Sequence, residues 1–377
     1  MLTQQSHENI PHKMPHVPGL CFLARNAGQG YHRANGNGLS PQGIDNSSMT
    51  IVDLRQLSSR QIEPLLTEEA QRWREELRWD YRASLDLIRK FVEARSLAGC
   101  AALENGEAAG YAFYVIEEHK GLLGGLYVSP RFPQMVLATK LLTSTLETLR
   151  AVPYVGRIEA QLVPFGCEFD AALARQGFRL YPRQFMLLDL ARVAPNPSEN
   201  GKPPNSNELS GLRLEEWSDR YFTPCARLIQ LAYADHMDGE INDQYRSEEG
   251  ALKFLKNIIM LPGCGQFQEH ASFVLRAPHS HELVGVVLTS AVAPGVGHTT
   301  QICVMPGYQR HGLGRRLIQA TIQALRARRF TALSLTVTAA NERAVGLYAS
   351  LGFAQIKTFT AGVWQAPEAS SRSSLFA

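Results

Sequence analysis

The chain has 377 residues, 45% of them hydrophobic, and a formal net charge of +3. This length and apolar content suffice for two hydrophobic cores, so two domains are expected. Its 38 basic and 35 acidic residues are interspersed, which argues against nucleic acid or a membrane surface as a partner.

The six cysteines stand far apart, without a C-x-x-C pair. This usage predicts reduced thiols, no disulfide framework and no metal site, and it favours a cytoplasmic location. No apolar run of the sequence approaches the length of a membrane span.

Residues 1–48 are rich in Gly, Asn, His, Pro and Ser and show no periodicity, which predicts a disordered N-terminal extension. Four histidines in this segment admit an alternative interpretation as a metal-binding tract, but their spacing is irregular. Met49 opens the first foldable sequence and is a candidate start codon.

Residues 49–190 carry a first pattern of strands and helices. Residues 110–115 form the apolar run of a buried strand. Residues 191–210 contain two proline pairs and little apolar sequence, which predicts an exposed linker. Between this strand and the linker, five leucines at helical spacing predict a helix with one apolar face. They are Leu137, Leu141, Leu142, Leu146 and Leu149.

After the linker, residues 283–288 predict a buried strand, and residues 333–338 alternate with the period of a half-buried strand. Between these strands, Gly312 and Gly314 stand where a strand gives way to a helix. Without Cβ atoms, their backbone N–H groups can meet an anion at the helix N-terminus. A phosphate cradle and an ordinary tight turn are both compatible with this local pattern.

The two halves repeat each other at an offset of 175 to 176 residues. The apolar positions Leu313, Leu317, Ile318, Ile322 and Leu325 match the five leucines of the first half. The copies differ in the cradle, because the first half has Pro133, Val136 and Ala138 where the second has Gln309, Gly312 and Gly314. The first cradle is therefore expected to be inactive.

The pattern Val-x-Pro-x-x-Gln-x-x-Gly-x-Gly over residues 304–314, followed by Asn341 and Tyr348, resembles the coenzyme A signature of the GNAT N-acetyltransferase superfamily. The resemblance spans about residues 211–365. It implies an α/β (α+β) fold class, with two tandem acyl-CoA N-acyltransferase (GNAT) folds. Each is expected to be a mixed, mostly antiparallel sheet flanked by helices, with strands four and five splayed.

The resemblance also implies a division of the chain, and the layout is similar to that of mycothiol synthases. After the extension 1–48 we expect a degenerate GNAT-like domain at 49–190 and the linker 191–210. A catalytic GNAT domain at 211–365 and a flexible tail at 366–377 follow.

Acetyl-CoA is the acyl donor that the resemblance implies, without a metal. Main-chain amides around Cys303 and Val304 are expected to hydrogen-bond the pantetheine and the thioester carbonyl. Asn341 is expected to hydrogen-bond the coenzyme near the point where strands four and five separate. The phosphate-binding residues implied are Gln309, Arg310, His311, Gly312, Leu313, Gly314 and Arg315, whose two arginines flank the turn.

Tyr348 matches the family's tyrosine acid, which protonates the departing thiolate. The alternative is a tyrosine that only packs in the core. Many relatives carry a glutamate base where this chain has Thr336, so His298 is a candidate base, directly or through water; structural packing is the alternative role.

Residues 235–243 lie where the superfamily places its substrate-lining helix and loop. The carboxylates of Asp235, Asp238 and Glu240, with Asp243, are expected to attract a cationic amine. A solvated acidic loop is the alternative.

The predicted function is therefore transfer of an acetyl group from acetyl-CoA to a primary amine, by direct transfer in the second domain. The acceptor would be a small-molecule or peptide amine, and the protein a monomer or homodimer. A non-catalytic acyl-CoA-binding sensor or scaffold is the alternative. The absence of the usual glutamate favours that alternative, whereas Asn341 and Tyr348 favour an enzyme.

Overall fold

The computed structural model describes residues 49–193, 211–261, 264–278, 280 and 282–367. The predictions for residues 1–48, for most of the linker and for residues 368–377 lie outside these ranges. No helix in the described ranges is both long enough and apolar enough to cross a lipid bilayer.

The first half of the chain contains six strands and four helices within the described residues. α1 begins at a capping box, in which Gln61 accepts from the Ser58 N–H at 2.9 Å. The elements are β1 (Met49–Asp53), α1 (Ser59–Leu77), α2 (Arg82–Glu93), β2 (Gly99–Glu104), β3 (Glu107–Glu117), β4 (Lys120–Val128), α3 (Gln134–Arg150), β5 (Arg157–Gln161), α4 (Asp170–Arg175) and β6 (Arg179–Asp189).

The second half repeats this order with an additional short strand and one more helix before the central hairpin. The elements are β7 (Arg213–Glu216), α5 (Phe222–Tyr233), α6 (Met237–Ile241), α7 (Glu248–Met260), β8 (Gln266–Phe267), β9 (Phe273–Arg276), β10 (Leu283–Ala293), β11 (Val296–Val304), α8 (Leu313–Ala327), β12 (Ala332–Thr338), α9 (Glu342–Ser350) and β13 (Ala354–Gln365). The strands predicted at residues 110–115, 283–288 and 333–338 are confirmed as parts of β3, β10 and β12.

All of these strands belong to one 13-stranded sheet in the order β1-β2-β3-β4-β5-β13-β6-β12-β11-β10-β9-β7, with β8 paired to β10 outside this path. The two halves exchange their last strands. β13 of the second half pairs antiparallel with β5 of the first, and β6 of the first half pairs antiparallel with β12 of the second. The sheet therefore does not divide at the linker, although the sequence does.

Helices cover both faces of the sheet. α3 and α4 share one buried cluster and α8 and α9 another, both on one face, where the five apolar positions of each predicted helix are buried. α1, α2, α5 and α7 cover the opposite face. The candidate site lies on this opposite face, between α1 and α5, and extends through the sheet between β11 and β12 to the starts of α8 and α9.

The internal repeat is visible in the strand geometry. The pairing of β10 with β11 shifts register at Thr300, and the pairing of β3 with β4 shifts at Gly124, the same position of the repeat. The parallel pairing of β11 with β12 ends one residue before this bulge, at Thr299. The parallel pairing of β4 with β5 ends at the equivalent residue, Leu123. Because pairing ends there, each pair of strands splays apart, as the superfamily resemblance implies.

Candidate functional site

The gap between the splayed strands β11 and β12 is the centre of the site. Met305 N–H donates to Val284 O on β10, and bonded residues alternate along an antiparallel pair, so the backbone groups of Ile302 and Val304 point into the gap. Two side chains meet them there. Tyr233 O–H donates to Ile302 O at 3.1 Å, and Gln309 Nε2 donates to Val304 O at 3.1 Å.

The structure places Cys303 differently from Val304. Its backbone lies opposite Val286 of β10, and its side chain packs in the cluster beneath α5 and α7. Burial raises the pKa of the Cys303 thiol, which keeps it protonated. Cys303 therefore contributes a wall of the gap, whereas the outward-pointing N–H belongs to Val304.

The cradle at the start of α8 has the geometry of an anion site. Gly312 adopts the left-handed region at φ 79° and is the N-cap of α8, without a side-chain cap. The first backbone bond into the helix runs from Arg316 N–H to Gly312 O, so the preceding N–H groups have no partner within the helix. A Cβ atom built on Gly312 meets no atom within 4 Å, which shows open space over these donors.

The arginines of the cradle differ in their contacts. Arg310 takes a left-handed conformation at φ 67° in the turn. Arg315 donates to Ser350 Oγ at 2.5 Å and so ties α8 to α9. Arg316 points to the other side, where it donates to Leu212 O at 3.2 Å.

The equivalent region of the first half is filled. Phe113 packs against Gly124 and Gly125, where a Cβ atom would lie within 2.6 Å of the ring. Pro133 is the N-cap of α3, and the exposed Val136 occupies the position of Gly312. Gln134 Nε2 donates to Val128 O at 3.1 Å, as Gln309 Nε2 donates to Val304 O in the second half. The first half therefore keeps this side-chain contact but lacks the open cradle.

A cavity of about 1030 Å³ runs from the cradle to the interface between the halves. It brings together most of the residues that the sequence singled out. Asp235, Glu240 and His311 do not line it. The predicted residues that do are Tyr348, His298, Cys303, Val304, Gln309, Arg310, Gly312, Leu313, Gly314, Arg315, Asn341 and Asp238.

Tyr348 lies in the cavity wall on α9. It is 6% exposed and packs edge-to-face on Phe353 at 5.8 Å. Burial, and then the nearby negative charge of Asp238, raises the pKa of the Tyr348 phenol above its usual value. The phenol is therefore protonated at neutral pH and is a proton donor.

Asn341 is held by two neighbours. Its Oδ1 accepts from Ala344 N–H at 3.2 Å and caps α9, and its Nδ2 lies 3.2 Å from His236 Nε2. His236 Nδ1 accepts from Asp238 N–H at 3.1 Å and caps α6. One histidine thus joins the start of α6 to the start of α9 across the cavity, a contact between distant segments that no local sequence pattern indicates.

His298 is buried where β11 and β12 are still paired. Its Nδ1 lies 2.9 Å from Ser334 Oγ, which itself donates to Gly297 O, so Nδ1 carries the proton. The ring packs between Trp79 and Phe185, at 5.0 and 5.6 Å. Burial lowers the pKa of His298 to about 3, so the ring stays neutral at working pH. A ring that binds a proton so weakly is a poor general base, which disfavours the base role considered for His298.

The acidic segment is not an open patch. Glu240 pairs with Arg246 at 2.7 Å and with Arg179 at 3.4 Å. Asp243 pairs with Lys120 and lies 3.8 Å from Arg157, both of the first half. These pairs dock the segment on β4, β5 and β6, so Glu240 and Asp243 already have cationic partners within the protein.

The other two carboxylates of the segment, Asp235 and Asp238, differ in their position relative to the cavity. Asp235 is exposed and lies outside the cavity lining. Asp238 lines the cavity, accepts from the Thr338 hydroxyl, and lies 3.8 Å from Arg183 NH1. Of the three residues predicted to bind the acceptor, Asp238 alone is near Tyr348.

The first half supplies one end of the cavity. Trp73 and Trp79, from the end of α1 and the turn after it, and Glu159, from β5, line it together with Phe185 and Phe359. Burial raises the pKa of Glu159, while Arg157 at 2.7 Å and Lys120 at 3.7 Å oppose the shift. Among the described residues, no three His, Cys, Asp or Glu side chains converge in the manner of a metal site.

Comparison with known proteins agrees with this geometry. The model of the acetyltransferase (GNAT) family matches residues 59–177 and 229–353. The chain is 50% identical over 52 residues to the [ribosomal protein bS18]-alanine N-acetyltransferase of Escherichia coli strain K12, or 14% of this chain and 35% of that protein. It therefore spans about a third of the length of this relative.

A longer match is with the mycothiol acetyltransferase of Renibacterium salmoninarum, at 26% identity over 255 residues, covering 64% of this chain and 68% of that protein. Two solved structures share the tandem fold. One is a GCN5-related N-acetyltransferase from Sphaerobacter thermophilus, at TM-score 0.57 and 15% identity over 85% of this chain and 96% of the other. The second is a tandem GNAT protein of the clavulanic acid biosynthesis pathway, at TM-score 0.52 and 15% identity over 85% and 100%.

Proposed function

Because the chain belongs to the GNAT acetyltransferase family, as a tandem GNAT protein, we propose that its second half transfers an acetyl group from acetyl-CoA to a primary amine by direct transfer. One observation carries the proposal. The open N-terminus of α8 and the buried phenol of Tyr348 line the same cavity, so a phosphate-bearing acyl donor bound at one reaches the other. In the first half this route is filled by side chains.

The residues of the second half fit such a donor. The uncapped N–H groups of α8 and the positive end of its dipole suit a pyrophosphate, with Arg310 beside the turn. The Val304 N–H in the gap suits a carbonyl or amide of the pantetheine arm. The donor supplies an activated thioester, and the cradle and the gap orient it.

The proposed transfer joins the amine nitrogen to the acyl carbon and breaks the carbon–sulfur bond. Asp238 holds the acceptor ammonium beside Tyr348 and takes one proton from it, which leaves a neutral amine whose lone pair attacks the acyl carbon. Tyr348 gives its phenol proton to the departing sulfur, and the phenolate takes the second proton that the nitrogen loses as the amide forms. The raised pKa keeps the Tyr348 phenol protonated until the sulfur leaves, although it also makes the phenol a weaker acid toward the thiolate.

The acceptor is proposed to be a small-molecule or peptide amine. The two curated relatives act, by their names, on a ribosomal protein alanine and in mycothiol acetylation. These names support an amine acceptor in general.

A second candidate function is non-catalytic acyl-CoA binding. Thr336, which stands in place of the usual glutamate, favours this function. His298 favours it too, because burial lowers the pKa of its ring to about 3 and makes the ring a poor base. Under this function the cavity would bind the coenzyme, and Tyr348 would only pack on Phe353.

Release of free thiol from acetyl-CoA, measured across a panel of primary amines, tests the proposal. We expect release with at least one amine, and a loss of kcat of roughly ten- to ten-thousandfold in Tyr348→Phe, the range of a general acid. Coenzyme affinity should hold in that variant. Tyr154→Phe on the surface is the matched control. Coenzyme binding without thiol release would support the non-catalytic function.

A further inference from the structure

The acceptor end of the cavity contains buried polar atoms without a protein partner. Gln301 and Thr299 flank the bulge of β11, Gln244 follows α6, and Arg183 lies on β6. Gln301 Nε2, Thr299 Oγ1, Gln244 Nε2 and Arg183 Nε are all buried, and none has a hydrogen-bond partner among the described residues. All four residues line the same cavity.

These four residues lie in the lining of one cavity, and each has a polar atom that no protein group satisfies. The side chains of Gln301, Thr299 and Gln244 are 5%, 5% and 7% exposed, so solvent does not replace the missing partners freely. An unpartnered buried polar group destabilises a fold by roughly 1–3 kcal/mol, so four such groups in the lining of one cavity point to a ligand that satisfies them. Three of the four atoms, as oriented, are N–H donors, so a ligand that satisfies them must offer an oxygen as hydrogen-bond acceptor.

The distance between Arg183 and Asp238 limits where that oxygen stands. Arg183 NH1 lies 3.8 Å from Asp238 Oδ1, so the cation and the carboxylate are neighbours in the wall. An amine held by Asp238 and an oxygen bonded by Arg183 Nε must then be close together in the ligand.

We propose that the acceptor carries its amino group and an oxygen substituent on neighbouring carbons, with the amine on Asp238 and the oxygen on Arg183, Gln244 and Gln301. This inference rests on the proposed acetyl transfer and narrows its substrate class. Amino acids, peptide N-termini, amino alcohols and amino sugars share this chemistry. Lysine side chains and polyamines lack it, because no oxygen stands near their amines.

Acetylation kinetics of the full chain with matched amines test the proposal. The acceptors are alanine, alaninamide, 2-aminopropanol and glucosamine, against isopropylamine and an Nα-blocked lysine. Rates are compared at equal concentration of the uncharged amine, so that basicity does not decide the order. We expect kcat/KM for at least one oxygen-bearing amine to exceed that of isopropylamine by at least about tenfold, since a site built to hydrogen-bond an oxygen rejects an analogue lacking it.

The four oxygen-bearing acceptors show which kind of oxygen the site binds. Preference for alanine indicates a free carboxylate, for alaninamide a peptide-like carbonyl, and for 2-aminopropanol or glucosamine a hydroxyl. Equal or better turnover of isopropylamine or the blocked lysine overturns the inference while leaving acetyl transfer intact. Absence of thiol release with every amine overturns acetyl transfer, and this inference with it.

Gln301→Met and Gln244→Met probe the same site in the protein. Each should reduce the preference for the oxygen-bearing amine severalfold or more, mainly through the KM of the acceptor, with the KM of acetyl-CoA unchanged. Gln184→Met, next to Arg183 but outside the cavity lining, is the matched control.

Thermal unfolding of these variants separates binding from structure. Methionine removes an unpartnered buried amide, so the Tm should stay the same or rise. A marked fall in Tm, with the acceptor preference retained, would show that the glutamines serve the fold and would overturn the inference.

Discussion

At the scale of single residues, Asp238 has the clearest position among the acidic side chains. It shares the cavity with Tyr348, whereas Asp235 is exposed outside the cavity. If Asp238 holds the acceptor ammonium and takes its proton, Asp238→Asn should raise the acceptor KM by roughly tenfold or more, because one partner of a desolvated charge pair is lost, and should lower kcat as well. Steady-state kinetics at fixed, saturating acetyl-CoA measure this change.

Asp235→Asn provides the comparison, since it removes the same charge from the same segment. We expect its acceptor KM to change little, and any change to fade as salt rises, as for a screened surface charge. Equal effects of the two substitutions would mean that the whole segment acts through its field, and that Asp238 makes no direct contact.

Glu69 is a buried titratable residue outside the proposed chemistry. It lies on α1 beneath the cavity wall, where it accepts from the Tyr111 hydroxyl and, at 3.3 Å, from Trp73 Nε1. Burial raises the pKa of the Glu69 carboxyl from 4.5 to about 7, although both hydrogen bonds oppose the shift. The folded protein therefore holds this proton more tightly than the unfolded chain does.

The sign of the pH dependence follows from that difference. Between about pH 4.5 and pH 7 the folded state binds more protons, so the contribution of Glu69 to stability falls as the pH rises. The fall amounts to about 3 kcal/mol, at about 1.4 kcal/mol per pKa unit. In Glu69→Gln, which cannot ionise, we expect this fall to be absent.

Urea unfolding at about pH 5 and about pH 8 measures the effect. The wild type should lose stability relative to Glu69→Gln over this interval. Glu75→Gln, an exposed glutamate of the same helix, should follow the wild type. Parallel pH profiles of wild type and Glu69→Gln would contradict a raised pKa at this position.

At the scale of elements, the turn before α8 depends on one glycine conformation. Gly312 and Gly106 are a matched pair, with φ 79° and φ 83° and open space around both. Valine at either position imposes the same backbone strain, about 1–3 kcal/mol. Gly106 lies in the turn between β2 and β3, far along the chain from the cradle.

We therefore expect Gly312→Val and Gly106→Val to lower stability by similar amounts, while Gly312→Val alone weakens acetyl-CoA binding, by roughly tenfold or more. Titration calorimetry and thermal unfolding of both variants give the two quantities. Unimpaired binding in Gly312→Val would place the phosphates somewhere other than the start of α8.

The sequence allowed prediction of features that are local in the chain. The strands β3, β10 and β12, the apolar faces of α3 and α8, and the repeat all follow from periodicity within short windows. The left-handed turn at Gly312 follows from glycine placement. Each of these features depends on residues close together in sequence, where propensity and pattern decide the conformation.

Features that depend on distant segments were not predictable in this way. The pairing of Asp243 with Lys120, the packing of Trp79 on His298 and the contact of His236 with Asn341 join residues more than a hundred positions apart. No periodicity records such contacts. For this reason the sequence does not indicate that Asp243 is paired with a lysine of the first half, or that His298 is buried among aromatic rings.

At the scale of the whole molecule, the exchange of β6 and β13 joins the two halves. β5 has β13 as its neighbour, and β12 has β6. Separated fragments, residues 49–190 and 211–377, would each expose the edge that the other half covers. We expect each fragment alone to be unfolded or aggregated, and the two expressed together to form a one-to-one complex with a single cooperative melting transition.

Circular dichroism and size-exclusion chromatography of the fragments, alone and together, test this expectation. An independently folded, monomeric fragment 211–377 would show that β6 is dispensable to the second half. The control is a full chain with a protease site inserted in the linker, which should stay associated after cleavage.

The exchange also orders events during synthesis on the ribosome. N-terminal domains commonly fold while the rest of a chain is still being made. Here the first half emerges with β5 lacking its neighbour, and that neighbour, β13, is translated only after the rest of the second half has appeared. Productive folding of the first half must therefore await residues 354–365, and during that interval the nascent chain presents an unpaired strand edge for chaperones to shield.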